Sequence, residues 1–264
     1  MKISNYSLKT CTSKHYTLAL IADFHDSDPH NIINAVKEVQ PDYILINGDL
    51  LYAAQHGKSI YNEYADSRQH IKKANNVQEL LCALIKIAPV LFSTGNHELY
   101  LNNEDECLLR NIGIIILKDS YIRFDDLCFG GLSSPYWILA GAGDAKSSEE
   151  HKTRWKAIFD NVHTEWLDDF EKENGYKILL NHHPEFYEPY LKVRKGIDLI
   201  LCGHTHGGQI RFFGKGLYAY GQGWFPKYSK GLYEDRMLIS AGLANTSRFP
   251  RINNPTELVF IELN

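Results

Sequence analysis

The sequence predicts an α/β (α+β) fold, a four-layer αββα sandwich of two packed mixed β-sheets flanked by helices. Three observations predict it. Short β-branched and leucine-rich runs recur along the chain and read as buried strands. The front half alternates such runs with helical patterning, as βαβ units do, whereas the rear half carries short strands broken by Gly and Pro. No internal repeat, low-complexity tract or dividing linker interrupts the chain, so one domain is expected over 1–264.

Residues 1–16 are polar with scattered Tyr and Leu and read as one edge strand. A strand at 17–22 leads into a helix at 29–39, where Ile32, Ile33, Val36 and Val39 recur at helical spacing. Asp28 is the expected N-cap, with Pro29 at the first helical position. Pro41 separates this helix from a strand at 43–47, which completes a βαβ unit. The polar, tyrosine-rich stretch 52–70 reads as a loop leading to a helix over 71–87. After a strand at Val90, a short helix is expected at 104–110 and consecutive strands at 114–117 and 120–132, with a hairpin turn at Asp125-Asp126. A solvated, charged segment at 141–154 precedes a helix near 153–172, and strands return at 177–181 and 198–202. Short strands are expected at 209–213, 231–233, 237–240 and 257–263.

Five of the apolar runs end abruptly in metal-ligand chemistry. Leu18-Ala19-Leu20-Ile21-Ala22 runs into Asp23-Phe24-His25, and Tyr43-Ile44-Leu45-Ile46 into Asn47-Gly48-Asp49. Val90-Leu91-Phe92 is followed by Gly95-Asn96-His97-Glu98, Ile178-Leu179-Leu180 by Asn181-His182-His183, and the fifth run ends in Cys202-Gly203-His204-Thr205-His206. Taken singly each is weak, since Gly-Asp after a strand is usually a turn and a lone His is more often a surface or core residue. Jointly they are complementary. Ligand sites in layered α/β folds sit at the carboxyl ends of strands, so the five ends point to one polar floor. Imidazoles and carboxylates without thiolate suit Mn, Fe or Zn, and the set is rich enough for two ions.

At 264 residues, with 44% hydrophobic and 23% charged content, the chain has the make-up of a soluble globular enzyme. A net charge of −4 gives no general attraction to nucleic acid or to an anionic membrane. The odd, scattered set Cys11, Cys82, Cys107, Cys128 and Cys202 reads as reduced thiols in a cytoplasm. The apolar run at 17–22 is too short for a signal-peptide core or a membrane span, so no integral membrane association is expected.

The ordered set Asp23-x-His25, Gly48-Asp49, Gly95-Asn96-His97-Glu98, His182 and Gly203-His204-x-His206 resembles that of the calcineurin-like metallophosphoesterases. Gly207-Gly208-Gln209, Arg248-Phe249-Pro250-Arg251 and Asn254-Pro255-x-Glu257 are similar to the bacterial branch with phosphodiesterase-like and lipid-linked pyrophosphatase members. The resemblance implies two divalent metal ions, with manganese favoured. One would be held by Asp23, His25, Asp49 and His206, the other by Asp49, Asn96, His182 and His204, making Asp49 the bridge. Two ions about 3.5–4 Å apart share a bridging water and lower its pKa, giving a hydroxide for in-line attack. The resemblance also makes His97 the residue that protonates or stabilises the leaving oxygen, with Glu98 as its orienting partner. Adjacency to His182 points the His183 side chain elsewhere, towards a structural role.

Departures from other branches narrow the substrate. Leu50-Leu51-Tyr52 follows Asp49 where protein phosphatases carry Asp-Arg-Gly, no clear counterpart of the purple acid phosphatase tyrosine is present, and no basic appendage suggests a nuclease. A small-molecule phosphodiester or pyrophosphate remains, with a phosphomonoesterase or a non-catalytic metal-binding scaffold as alternatives. Residues 211–236 carry Phe212, Phe213, Tyr218, Tyr220, Trp224, Phe225, Tyr228 and Tyr233 among glycines and lysines. The plainer expectation is a hairpin with its rings in the core. The sharper one is a lid on which Trp224 and Phe225 stack against substrate while Arg211 meets phosphate.

Overall fold

The computed structural model describes residues 1–52, 70–98, 101–134, 162–219, 221–246 and 250–264. The chain forms β1 (Lys2–Leu8), β2 (Tyr16–Ile21), α1 (His30–Val39), β3 (Tyr43–Asn47), α2 (Asn75–Leu84), β4 (Val90–Ser93), α3 (Asn103–Ile112) and β5 (Ile115–Leu117). There follow β6 (Ser120–Phe124), β7 (Leu127–Leu132), α4 (Trp166–Phe170), β8 (Tyr176–Asn181) and β9 (Leu199–Cys202). Two small hairpins, β10 (Arg211–Phe212) with β11 (Lys215–Gly216) and β12 (Tyr218–Ala219) with β13 (Gly223–Trp224), precede β14 (Gly231–Tyr233), β15 (Met237–Ile239) and β16 (Glu257–Leu263).

The strands form two six-stranded sheets, ordered β1-β16-β2-β3-β4-β5 and β14-β15-β9-β8-β7-β6. Within the first, β2 to β5 run parallel, with Ile46 opposite Phe92 and Asn47 opposite Ser93. Within the second, β7, β8, β9 and β15 run parallel. Strands covered on both faces read as unbroken apolar runs, because alternate residues enter different cores. Leu18 and Leu20 of β2 meet Ile178, Leu180, Leu199 and Leu201 of the other sheet in the central core. Ala19 and Ile21 face outward onto the helical layer with Ile33, Val36, Leu80 and Leu84. On the far side Leu179, Ile200 and Cys202 pack with Phe170, Phe186 and Tyr187. These are the four layers the sequence predicts.

Several details differ from the sequence reading. The first helix begins at His30 with Pro29 in the cap position, and Asp28 Oδ1 accepts the His30 amide at 3.0 Å. The predicted helix over 71–87 is split, because Ala74 leaves helical geometry between a 3-10 turn at Ile71–Lys73 and α2. The helix expected at 104–110 is longer, since Asn102 and Asp105 form a reciprocal capping box and Gly113 stops it in a left-handed conformation at φ 108°. The strand expected at 209–213 shrinks to Arg211–Phe212. The loop expected at 52–70, the charged segment at 141–154 and most of the helix expected near 153–172 lie outside the described residues. Among the described residues no helix is long and apolar enough to cross a membrane.

Candidate metal centre

The parallel strands deliver their carboxyl ends to one edge, where the two sheets are joined by hydrogen bonds between site loops. Asp23 N donates to Gly48 O at 3.1 Å and His25 N to Asp49 O at 3.0 Å, linking the ends of β2 and β3. Across the sheets, Asn47 Nδ2 donates to Leu201 O at 2.8 Å, and Gly203 N to His182 O at 3.1 Å within the second sheet. Space here is tight. A side chain at Gly48, already at φ 79°, would place its Cβ 2.5 Å from His182 Nδ1 and 2.7 Å from the Gly95 backbone. The chain turns sharply at the ligand positions themselves: Asp23, His25, Asp49, His204 and His206 all have φ between 47° and 67°. Non-glycine residues adopt this left-handed region at a cost, and such positions concentrate at functional sites.

Four donor groups result among the described residues, and two of them are buried throughout. Asp23, His25 and His206 bring ligand atoms within 4.8 Å of one another, as do Asp49, His182 and His204, and all six are buried. Asp49 joins the clusters, with its Oδ2 lying 3.7 Å from His25 Nε2 and 3.2 Å from His182 Nε2. Its Oδ1 accepts the His97 amide at 2.9 Å, which fixes the carboxylate. Asn96 opens that same turn, and its Oδ1 is buried without a hydrogen-bond partner, as is His25 Nε2. Three imidazoles have their far nitrogen on a backbone carbonyl: His25 Nδ1 on Leu51 O at 3.1 Å, His182 Nδ1 on Asn47 O at 2.8 Å and His206 Nδ1 on Ala244 O at 3.2 Å. Arg251 Nη2 also approaches His206 Nδ1, but its two hydrogens serve Ala241 O and Ala244 O, so the imidazole Nδ1 carries a proton. Such bonds turn Nε2 lone pairs towards the cluster, the arrangement metal-binding histidines need. Buried orphan acceptors and oriented imidazoles fit a pair of divalent cations.

The electrostatics agree with that fit. Burial and the neighbouring His97 hold His25 well below the ordinary imidazole value. Burial, then His182, does the same to His204, and burial lowers His206. Neutral imidazoles are ligands. His182 differs: burial opposes its charged form, but the Asp49 carboxylate lifts it to about 10. Asp49 is correspondingly held well below the usual carboxylate range by His182, against the effect of burial. A cation would take the place of that proton.

The remaining predicted residues divide. His97 forms a further donor group with His25 and Asp49, its Nε2 3.9 Å from Asp49 Oδ2 and its ring edge-on to His25 at 4.4 Å. Glu98 has a use the sequence reading missed. Its Oε2 accepts the amides of Asp49 and Gly95 at 2.8 Å and its Oε1 that of Leu51 at 3.0 Å, so it shapes the Asp49 and Asn96 turns. His183 is buried against His182 and His204, with Nε2 2.6 Å from Ser134 Oγ. The core reading of the aromatic segment holds for Tyr228 but not for Phe212, Phe213, Trp224 and Phe225, which are exposed. Arg211 turns inward, Nη1 donating to Gly207 O at 2.6 Å and Ser229 Oγ at 3.1 Å, and Nη2 to Gly214 O, so it braces the hairpin. Arg251 and Asn254, whose Nδ2 donates to His206 O at 2.7 Å, close around His206. Only their place in the tail motif hinted at this.

The profile described as "Calcineurin-like phosphoesterase" matches residues 16–208. A Danio rerio "Transmembrane protein with metallophosphoesterase domain" is 28% identical over 73% of this chain, and the chain spans 40% of that relative's length. The Bacillus subtilis "Uncharacterized metallophosphoesterase YkoQ" is 24% identical over 95% of this chain and 84% of its own. A solved dimetal phosphatase from Danio rerio superposes with a TM-score of 0.47 at 13% identity, covering 85% of this chain and 86% of that one. Since the profile takes in well over half the sequence, including every strand end that supplies a clustered donor, this chain belongs to the calcineurin-like phosphoesterase family.

Proposed function

We propose that this protein is a phosphoesterase that uses two divalent cations, manganese favoured, to hydrolyse a small-molecule phosphodiester or pyrophosphate. The observation that supports it most is the pair of buried donor clusters joined at Asp49. Asp23, His25, Asp49 and His206 would hold one ion, and Asp49, Asn96, His182 and His204 the other. Bound ions supply a water of lowered pKa and a clamp for phosphoryl oxygens. The chain's own residues do the rest. Glu98 fixes the Asp49 and Asn96 turns through three backbone amides. His97, anchored by its amide on Asp49 Oδ1, donates a proton to the leaving oxygen. Trp224 and Phe225, exposed on a hairpin that follows His206, stack on the non-reacting part of the substrate. All five cysteines are unpaired, which supports a reducing compartment, the cytoplasm.

Manganese-loaded protein should be assayed against bis-p-nitrophenyl phosphate, p-nitrophenyl phosphate, cyclic nucleotides and nucleoside-diphosphate sugars. A diester or pyrophosphate should be turned over faster than the monoester. A preference for p-nitrophenyl phosphate would make the protein a phosphomonoesterase. Two bound ions with no turnover of any substrate would make it a scaffold.

A further inference from the structure

A sixth strand end reaches the metal floor without supplying a ligand. β15 runs parallel beside β9, with Ile239 opposite Cys202, so its carboxyl end comes to the same edge. The loop that follows, Ser240-Ala241-Gly242-Leu243-Ala244, carries no imidazole, carboxylate or amide side chain. Its backbone makes the contacts. Leu243 N and Ala244 N donate to Asp23 O at 3.2 and 2.9 Å, and Ala244 O accepts from His206 Nδ1 at 3.2 Å. A side chain at Gly242, which lies at φ 74°, would place its Cβ 2.7 Å from that of Asp23. The loop therefore lies against two residues proposed to hold the same cation.

Two charged side chains hold this loop. Glu257, fully buried, accepts the Ala241 amide on Oε2 at 2.9 Å and pairs through Oε1 with Lys230 Nζ at 2.8 Å. Arg251 Nη2 donates to Ala241 O at 2.8 Å and to Ala244 O at 2.5 Å. Ala244 O thus takes one hydrogen from the guanidinium and one from the imidazole. A carbonyl oxygen has two lone pairs, so both bonds stand together. An imidazole that gives Nε2 to a cation carries hydrogen on Nδ1, and the acceptor of that hydrogen sets the angle of the ring. We propose that Arg251 is a positioning residue for His206, acting through the Ala244 carbonyl and through no contact with the cation. The proposal rests on the two-cation reading above. Arg251 lies beyond residues 16–208, the stretch the family profile matches, so this support is not part of what the profile describes. It is also one-sided. The loop it holds rests on Asp23 and His206, so its loss should be felt by one ion and not by both.

The test compares wild type, Arg251→Lys, Arg251→Met, His206→Ala and the double variant of His206→Ala with Arg251→Lys. Each is followed by manganese titration with chelator competition and by melting of the metal-free protein. Wild type should hold two ions. Lysine keeps the charge but ends one bond short of Nη2, and methionine keeps the bulk but donates nothing. Both variants should melt cooperatively without metal, yet bind one of the two ions about 10- to 100-fold more weakly. In the His206→Ala background, Arg251→Lys should add no further loss, because the imidazole through which it acts is gone. Zinc-loaded protein with isotope-labelled histidine gives a second readout by NMR. The His206 Nδ1–H proton should resist exchange in wild type and exchange faster in Arg251→Lys, while those of His25 and His182 stay unchanged. If Arg251→Lys fails to fold, Arg251→Met asks the same question with no charge to bury. Wild-type affinity for both ions and an unchanged His206 signal in the folded variants overturn the proposal. A comparable further loss in the double variant overturns the route through His206. A wild type that binds fewer than two ions overturns the two-cation reading itself, a failure visible before any variant is made.

Discussion

The amide of His204 donates to Asp23 Oδ1 at 3.0 Å, although the two residues end strands of different sheets. The bond places a residue of one cluster on the carboxylate of the other, so the two proposed cation sites share a backbone as well as Asp49.

That sharing predicts unequal effects of ligand loss. Asp49→Asn should lower occupancy at both sites, because Oδ2 faces imidazoles of both clusters. His206→Ala should weaken mainly the site it shares with Asp23 and His25. Elemental analysis after gel filtration checks this, and a wild-type chain holding a single ion with all ligands intact would refute it.

His97→Asn should keep both ions, since its backbone bond to Asp49 survives the substitution. Activity on alkyl esters should fall about 10²–10⁴-fold, the usual worth of a general acid. The loss on nitrophenyl esters should be smaller, because that leaving group needs little protonation. Poor metal retention, or equal losses on both ester types, would make His97 a ligand or positioning residue.

Metal-free protein should lose stability as pH rises from about 6.5 to about 10. The His182 value is raised to about 10 in the fold, against about 6.5 in an unfolded chain. Its contribution is therefore fully present below about 6.5 and is lost as pH rises through about 10. Metal uptake should run the other way, strengthening over the same window because the His182 proton must leave. Melting curves in chelator and titrations in buffers of different ionisation enthalpy read the two effects separately. A pH-independent melting temperature would remove the Asp49–His182 ion pair from the account.

Truncating Trp224 or Phe225 to Ala should raise KM for bulky substrates and leave turnover of a small aryl phosphate nearly unchanged, as expected when binding shared by ground and transition states is lost. Both rings are exposed, so neither truncation should lower the melting temperature appreciably. A marked drop in stability would place them in the packing of the hairpin.

Much of this molecule is legible in its sequence because the central strands are buried on both faces. Runs such as Leu18 to Ala22 have no polar alternation to hide them, and a carboxylate or imidazole directly after such a run stands out. What escapes the sequence is side-chain business between distant residues. Glu98 reads as the neighbour of His97, yet it serves amides as far back as Asp49. Gln222 donates to Glu185 across 37 positions, in stretches without periodicity. The two-residue strands at 211–212 and 223–224 are too short to show a repeat at all. The break at Ala74 has no Gly or Pro to announce it.

The left-handed corners at Asp23, His25, Asp49, His204 and His206 bear on how such a protein changes over generations. Each non-glycine residue held there costs about 1–3 kcal/mol of folding free energy unless its surroundings compensate. Glycine would occupy the same corners more comfortably. Drift to glycine at these five positions therefore gains stability and loses chemistry. A descendant released from the need for metal would gain robustness by the same substitutions that silence it, and would keep the sandwich while losing the floor.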